Sequence, residues 1–203
     1  MLQLYGIAQS RALRPLWLLE ELGRPFEHHP LDYRSAEIRS SDYLALNPNG
    51  RVPTLVDGDL VLFESMAINL YLASRYGREA GLWPATVGGE GLAYQWSFWV
   101  MGEVESPLLS VLMHRRVLPE AERDAGKLAR NEGALRPPFA VLDQVLTGRS
   151  WLADDHFTVA DLNVAAVMSW VKPARFDLTP WPALGDWLER CLGRPAFATA
   201  RGR

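Results

Sequence analysis

A single cysteine, Cys191, stands in 203 residues, so no internal disulfide can form and the fold must be held by its core. That agrees with a reducing compartment. No window is apolar and long enough to span a membrane. The start, Met1-Leu2-Gln3-Leu4-Tyr5-Gly6, has neither the basic residues nor the sustained apolar run of a secretory leader. The expectation is a cytoplasmic protein with no membrane partner. Charge of one sign is also scarce: the net charge is -3 at pH 7 and basic residues are scattered, which argues against nucleic acid as the main partner. Internal repeats and low-complexity tracts are missing too. What remains is an ordinary globular composition, 48% hydrophobic and 22% charged, sufficient to bury one or two cores.

The densest local signals lie in residues 47–65. Asn47-Pro48 and Asn49-Gly50 are turn dipeptides, and Pro53 opens a β-branched and aliphatic run at the position where a missing N–H costs least. Asp57-Gly58 supplies the positive-φ pair of a tight hairpin, with residues 60–63 as the returning strand. Glu64-Ser65 then introduces the apolar residues Ile68, Leu70 and Leu72 at helical spacing. A helix starting near Ser65 points its free N–H groups at whatever lies beyond, which makes it an anion site. The local alternative is that Ser65 is an N-cap and Glu64 a favourable first-turn charge.

Upstream, residues 2–5 read as a strand ending at Gly6. Ala12, Leu16, Leu19 and Leu22 form one helix face that stops at Gly23, and Pro15 in the first turn sets the helix start near Ser10 or Arg11. Residues 26–31 read as a second strand, giving a right-handed βαβ unit. A less regular stretch over 35–46 leads into the hairpin. Past Gly77 the strand pattern vanishes. Residues 91–118 and 123–146 are helical, with Pro137-Pro138 expected to break or kink the second, and Leu184, Trp187, Leu188 and Cys191 mark a final helix. Cys191 on that apolar stripe reads as a buried structural thiol. The sharpest helix start is Phe157-Thr158-Val159-Ala160-Asp161-Leu162: Thr158 as N-cap, Asp161 reaching back to it, and Phe157 stapled to Leu162. The division expected is an α/β domain over 1–77 in the order βαβ-ββα, a linker over 78–87 and an all-helical domain over 88–203.

Taken together, Ser10-Arg11, Trp17-Leu18-Leu19-Glu20-Glu21-Leu22-Gly23, Asn47-Pro48 to Pro53, Glu64-Ser65 and Phe157-Thr158-Val159-Ala160-Asp161 resemble the cytosolic glutathione transferases over essentially the whole chain. The likeness is to bacterial-type members with serine at the start of the first helix. It implies a thioredoxin-like N-terminal domain holding glutathione, an all-α C-terminal domain offering a pocket to a hydrophobic electrophile, a homodimer, and a cis bond before Pro53. A role in detoxification would follow. The reaction implied is conjugation of the glutathione thiolate; glutathione-dependent isomerisation, ether cleavage or dehalogenation, or a non-catalytic binding protein of the same fold, are the alternatives.

On that resemblance, Ser65 binds the γ-glutamyl carboxylate, Glu64 orients the γ-glutamyl ammonium, and Val52, before Pro53, pairs its N–H and C=O with the cysteinyl backbone. Asn49 and Arg51 lie near the expected glycyl carboxylate, or else are solvated loop residues. A thiol of pKa ~8.5 is only about 3% thiolate at pH 7, so a donor at sulfur decides the chemistry. Ser10 is the expected donor, and Tyr5 the second choice. The co-substrate pocket is expected to be lined by Ile7 and Gln9 and by Leu108, Leu109, Leu112 and Met113. Glu103 or Glu105 is expected to reach across a dimer interface. No metal is expected: His28 and His29 are strand neighbours facing opposite sides. His114-Arg115-Arg116 reads as a solvated helix face, with contact to an anionic substrate as the sharper reading.

Overall fold

The computed structural model describes residues 1–203, and the chain divides into two compact units, Met1–Trp83 with Gly193–Arg203, and Pro84–Leu192. The first unit is built on a four-stranded sheet in the order β2-β1-β3-β4. Its strands are β1 (Leu2–Tyr5), β2 (Phe26–His29), β3 (Thr54–Asp57) and β4 (Leu60–Phe63). β1 runs parallel to β2 and antiparallel to β3, with Tyr5 opposite both His29 and Thr54. β2 ends two residues earlier than its apolar pattern suggests, because Pro30 has no N–H to continue the ladder and Leu31 N–H already turns back to His29 O at 2.7 Å.

Helix α1 (Leu13–Leu22) starts later than expected from Pro15. Over residues 10–14 the chain makes i to i+3 bonds, Leu13 N to Ser10 O and Arg14 N to Arg11 O, before the first α-type bond from Leu16 N to Ala12 O. The Ser10 hydroxyl sustains this turn by donating to Ile7 O at 2.7 Å and accepting from Ala12 N–H at 3.1 Å, a local competition with helix that short hydroxyl side chains provide. The helix ends at Gly23, whose φ of 59° is left-handed. Helix α2 (Ser41–Leu46) is capped by Ser40, and α3 (Ser65–Tyr76) follows the hairpin directly. Leu16 and Leu19 of α1 and Ile68 and Leu72 of α3 are buried with Leu4 and Leu55 of the sheet, and the two helices pack on each other.

The expected boundary at residue 88 assigned everything beyond it to the helical domain, whereas the last helix, α10 (Pro195–Arg201), packs on α1. Trp17 meets the Phe197 ring at 4.7 Å. Glu21, its side chain 7% exposed, accepts from Trp17 Nε1 at 2.9 Å and from two Arg194 nitrogens at 2.6 and 2.7 Å. A distant segment therefore braces the helix that carries the Ser10 turn.

The second unit is helical. Helix α4 (Val87–Val100) is capped by Thr86 and continues through a π turn (Met101–Glu105) into α5 (Ser106–Leu112) and a second π turn (Met113–Val117). Pro107, which lacks an N–H, sits directly after the first irregularity. Helix α6 (Ala125–Leu146) runs through Pro137 and Pro138 without the break that was one of the two expectations. The carbonyls deprived of partners, on Gly133 and Ala134, belong to exposed residues that water can serve. Helices α7 (Val159–Met168), α8 (Val171–Ala174) and α9 (Pro182–Leu192) complete the unit. Every residue of α7 is buried. Its Asp161 carboxylate accepts from Thr158 N–H, the Thr158 hydroxyl, Leu152 N–H and Trp187 Nε1, while the Thr158 hydroxyl accepts from Ala160 N–H. Burial pushes this carboxyl up despite those four donors.

Candidate glutathione-type site

β1 ends at Gly6, where φ is 132° and a Cβ would come within 2.6 Å of Ala12 Cβ and 3.1 Å of Val52 Cβ. Only glycine lets the turn carrying Ser10 approach the loop carrying Val52 so closely. His28 Nε2 bonds Gly6 O at 2.8 Å and Gly6 N–H donates to His29 O, which ties this turn to β2. Ser10 is half-buried, Ile7 half-buried and Gln9 exposed beside it.

Tyr5 makes its contacts along the sheet. Its hydroxyl donates to Gln3 Oε1 at 3.1 Å, along β1, and its ring stacks on His29 at 4.3 Å. Burial, with a contribution from Glu27, raises its pKa. His28 and His29 likewise go to separate duties, on Gly6 and Tyr5.

The loop before β3 is held by Asn47, read in sequence only as a turn residue, and by Tyr43, which the sequence reading passed over. Asn47, 1% exposed, donates from Nδ2 to Arg51 O at 2.8 Å and to Thr54 Oγ1 at 3.1 Å. The Tyr43 hydroxyl donates to Arg51 O at 2.7 Å and lies 2.8 Å from Thr54 Oγ1. Two donors on one carbonyl fix the peptide that leads into Val52, and the Val52-Pro53 bond is cis. Val52 is half-buried and precedes the first paired residue of β3; neither its N–H nor its C=O meets a backbone partner. It is a one-residue strand edge left open. Asn49 is exposed, but its amide and N–H both turn back to Asn47 Oδ1, so it shapes the turn rather than facing outward. Arg51 is exposed, and so is Arg39, whose Nη1 reaches Asn49 O at 3.5 Å across Gly50. Arg39 was missed because it lies in the irregular stretch, where local pattern carries no signal.

Glu64 links β4 to α3 with φ of 72° and ψ of 111°, a conformation costing a non-glycine residue about 1–3 kcal/mol. The strain turns the chain so that α3 begins at once with Ser65. Glu64 is exposed and Ser65 only 4% exposed. The Ser65 oxygen accepts from Arg14 Nη1 at 3.0 Å. Arg14 is 2% exposed, unusual for a cation; an arginine in a first helical turn reads in sequence as solvated, so nothing marked it.

In the helical unit, Leu108 is fully buried at 0% exposure, a core residue rather than a lining one. An apolar stripe at helical spacing does not separate these roles. Leu109, Leu112 and Met113 are half-buried. Glu105 is buried and Glu103 exposed, so of the pair only Glu103 faces outward. The basic triplet is not a uniform solvated face. His114 is buried and its Nδ1 accepts from Asp124 N–H at 3.1 Å, while Arg115 donates to Ala174 O and Arg175 O and pairs with Glu132 at 2.6 Å. Arg116 alone is exposed.

The site thus offers an open backbone strip at Val52, a hydroxyl at a helix N-terminus, exposed cations at Arg39 and Arg51, and a hydroxyl on the turn before α1. Residues 1–74 match the family described as glutathione S-transferase, N-terminal domain, and residues 103–195 the corresponding C-terminal domain. Glutathione S-transferase 3 of Zea mays is 38% identical over 209 residues, covering 97% of this chain and 91% of that one. Glutathione S-transferase GstB of Escherichia coli K12 is 32% identical over 199 residues, covering 97% and 95%. Among solved structures, the theta class glutathione S-transferase of Xanthomonas axonopodis pv. citri with glutathione bound superposes with a TM-score of 0.91 at 28% identity, covering 100% and 97%.

Proposed function

Because this chain belongs to the glutathione S-transferase family, we propose that its first unit holds glutathione as an added strand residue on Val52 and stabilises the thiolate through Ser10. The chain is a glutathione transferase, with glutathione as co-substrate. The observation that carries the residue assignment is the unpaired N–H and C=O of Val52, two residues before Thr54, whose β4 partner Phe63 is two residues before the α3 start at Ser65. An extended tripeptide pairs its cysteinyl backbone there. Its γ-glutamyl carboxylate then meets the Ser65 hydroxyl and the open N–H groups of the first turn, with Glu64 turned toward the ammonium. Arg51 and Arg39 take the glycyl carboxylate, while Asn49 serves the turn.

In this reading the Ser10 hydroxyl leaves Ile7 O, to which it donates at 2.7 Å, and donates to the sulfur. It acts as a donor and not as a base; the thiol proton goes to solvent, and the thiolate attacks an electrophilic carbon, forming the S–C bond as the bond to an anionic leaving group breaks and that group departs with the electron pair. Ile7 and Gln9 flank the sulfur; within the helical unit the apolar residues Leu109, Leu112 and Met113 are half-buried. Detoxification in the cytoplasm is the physiological setting that goes with such chemistry. A homodimer is supported by an apolar stripe on α4, where Val87, Tyr94 and Phe98 are 86%, 45% and 68% exposed at i, i+7 and i+11, more than an isolated helix face leaves to water. Glu103, exposed beyond the same helix, is the acidic group offered to a partner.

Calorimetric titration of glutathione tests the assignment. Ser65→Ala is expected to weaken binding by about tenfold, as loss of a hydrogen bond to a charged group does. Wild-type affinity in that variant would remove Ser65 from the site.

A further inference from the structure

We infer that Arg14 is a positioning residue for the γ-glutamyl carboxylate of glutathione, acting through Ser65; the inference rests on the glutathione site proposed above. A guanidinium only donates, so the 3.0 Å contact between Arg14 Nη1 and Ser65 Oγ has one direction. The Ser65 oxygen accepts, and its own proton is turned away from Arg14, toward an acceptor arriving at the α3 N-terminus. A free serine hydroxyl rotates among three wells; the buried guanidinium selects among them before any ligand is present. The bond crosses 51 residues of sequence with both side chains buried, so it also fixes α1 against the start of α3.

The electrostatics point the same way. Arg14 is the second residue of α1 and touches the first residue of α3. Helix N-termini disfavour a cation and favour an anion, and burying a guanidinium carries a further cost. A carboxylate seated at Ser65 gains from the two helix ends and from the cation behind the hydroxyl. Arg14 touches none of the reacting atoms. Its effect is on how firmly one carboxylate is held.

The test compares glutathione with γ-aminobutyryl-cysteinyl-glycine, which keeps the ammonium and lacks only that carboxylate, by calorimetric titration into the full-length chain. Wild type is expected to prefer glutathione by at least about tenfold. In Arg14→Gln the preference should collapse to about threefold or less, with affinity for the truncated peptide within about twofold of wild type. Circular dichroism sets the folded fraction, and if Arg14→Gln does not fold, Arg14→Lys carries the same readout with a smaller loss of preference. An Arg14 variant that keeps the wild-type preference, or that weakens both peptides equally, overturns the inference and leaves the site standing. A wild-type protein with no preference overturns the carboxylate assignment and the inference together.

Discussion

Replacing Ser10 by alanine removes the donor proposed for sulfur, and the size of the effect follows from what that hydroxyl does in the free chain. There it donates to Ile7 O at 2.7 Å. Turning to a thiolate exchanges an ordinary hydrogen bond, worth about 0.5–1.5 kcal/mol, for one to a charged acceptor, worth about 1.5–3 kcal/mol. The difference, roughly 1–1.5 kcal/mol, is about one pKa unit. A thiol starting at ~8.5 then titrates near ~7.5, and its thiolate fraction at pH 7 rises from about 3% to about 24%. The α1 dipole adds little to this difference, since α1 begins only at Leu13 and survives the substitution. Ser10→Ala is therefore expected to raise the apparent thiol pKa of the complex by about one unit. It should also lower kcat/KM at pH 7 by about five- to tenfold, with the deficit vanishing above pH ~8.5. Thiolate absorbance against pH and the pH profile of kcat/KM both read this. The hydroxyl also accepts from Ala12 N–H, so a stability loss of about 1 kcal/mol accompanies the change and is measured separately by urea unfolding. An unchanged thiol titration, or a deficit equal at every pH, refutes the donor role. Tyr5→Phe should leave the thiol titration where it is, because that phenol is spent on Gln3.

Three further outcomes concern stability. Asp57 accepts from the Tyr71 and Tyr76 hydroxyls at 2.8 and 2.5 Å; burial pushes the carboxyl up, but the two phenols outweigh it and the net shift is down, while burial and Asp57 raise Tyr71 to about 12. A lowered carboxyl stabilises above its unfolded value of 3.8 and loses that contribution as pH falls below it; a raised phenol stabilises below 10.0 and loses it as pH climbs toward 12. Asp57→Asn should flatten both ends of the urea-midpoint profile against pH; an unchanged profile contradicts a stabilising role for these two hydrogen bonds. Asp161→Ala leaves Leu152 N–H, Thr158 N–H and Trp187 Nε1 without their acceptor and should cost about 3–5 kcal/mol or prevent folding; a loss under about 1 kcal/mol contradicts the capping network. Phe197→Ala empties the contact with Trp17 and should cost about 3 kcal/mol, with glutathione affinity falling as α1 loosens; a neutral substitution means that α10 does not brace α1.

Short-range chemistry made much of this molecule legible in sequence. Gly23 stops α1, Asp57-Gly58 turns the hairpin and Thr158 opens α7, because each signal and its consequence lie within a few residues. The start of α1 was misread because Ser10 spends its hydroxyl on Ile7 O, a bond that competes with helix and leaves no mark on apolar spacing. Pro137-Pro138 argued for a break or a kink; α6, packed against α5 and α9, is not broken there. In the site, Val52, Glu64 and Ser65 were accessible because they sit in one contiguous segment. Arg14 and Tyr43 were not, since their partners are 51 and 8 residues away and their meaning lies in burial. Leu108 and Glu105 show the same blindness: helical spacing gave their face, and only packing shows that both are inside.

The central claim, that glutathione adds one strand residue at Val52, is tested most directly by the exchange of a single amide. Val52 N–H has no backbone partner in the free chain, so it is expected to exchange rapidly with deuterium and to become protected when glutathione is bound at saturation. Rapid exchange persisting in the saturated complex, with glutathione demonstrably bound, contradicts the claim.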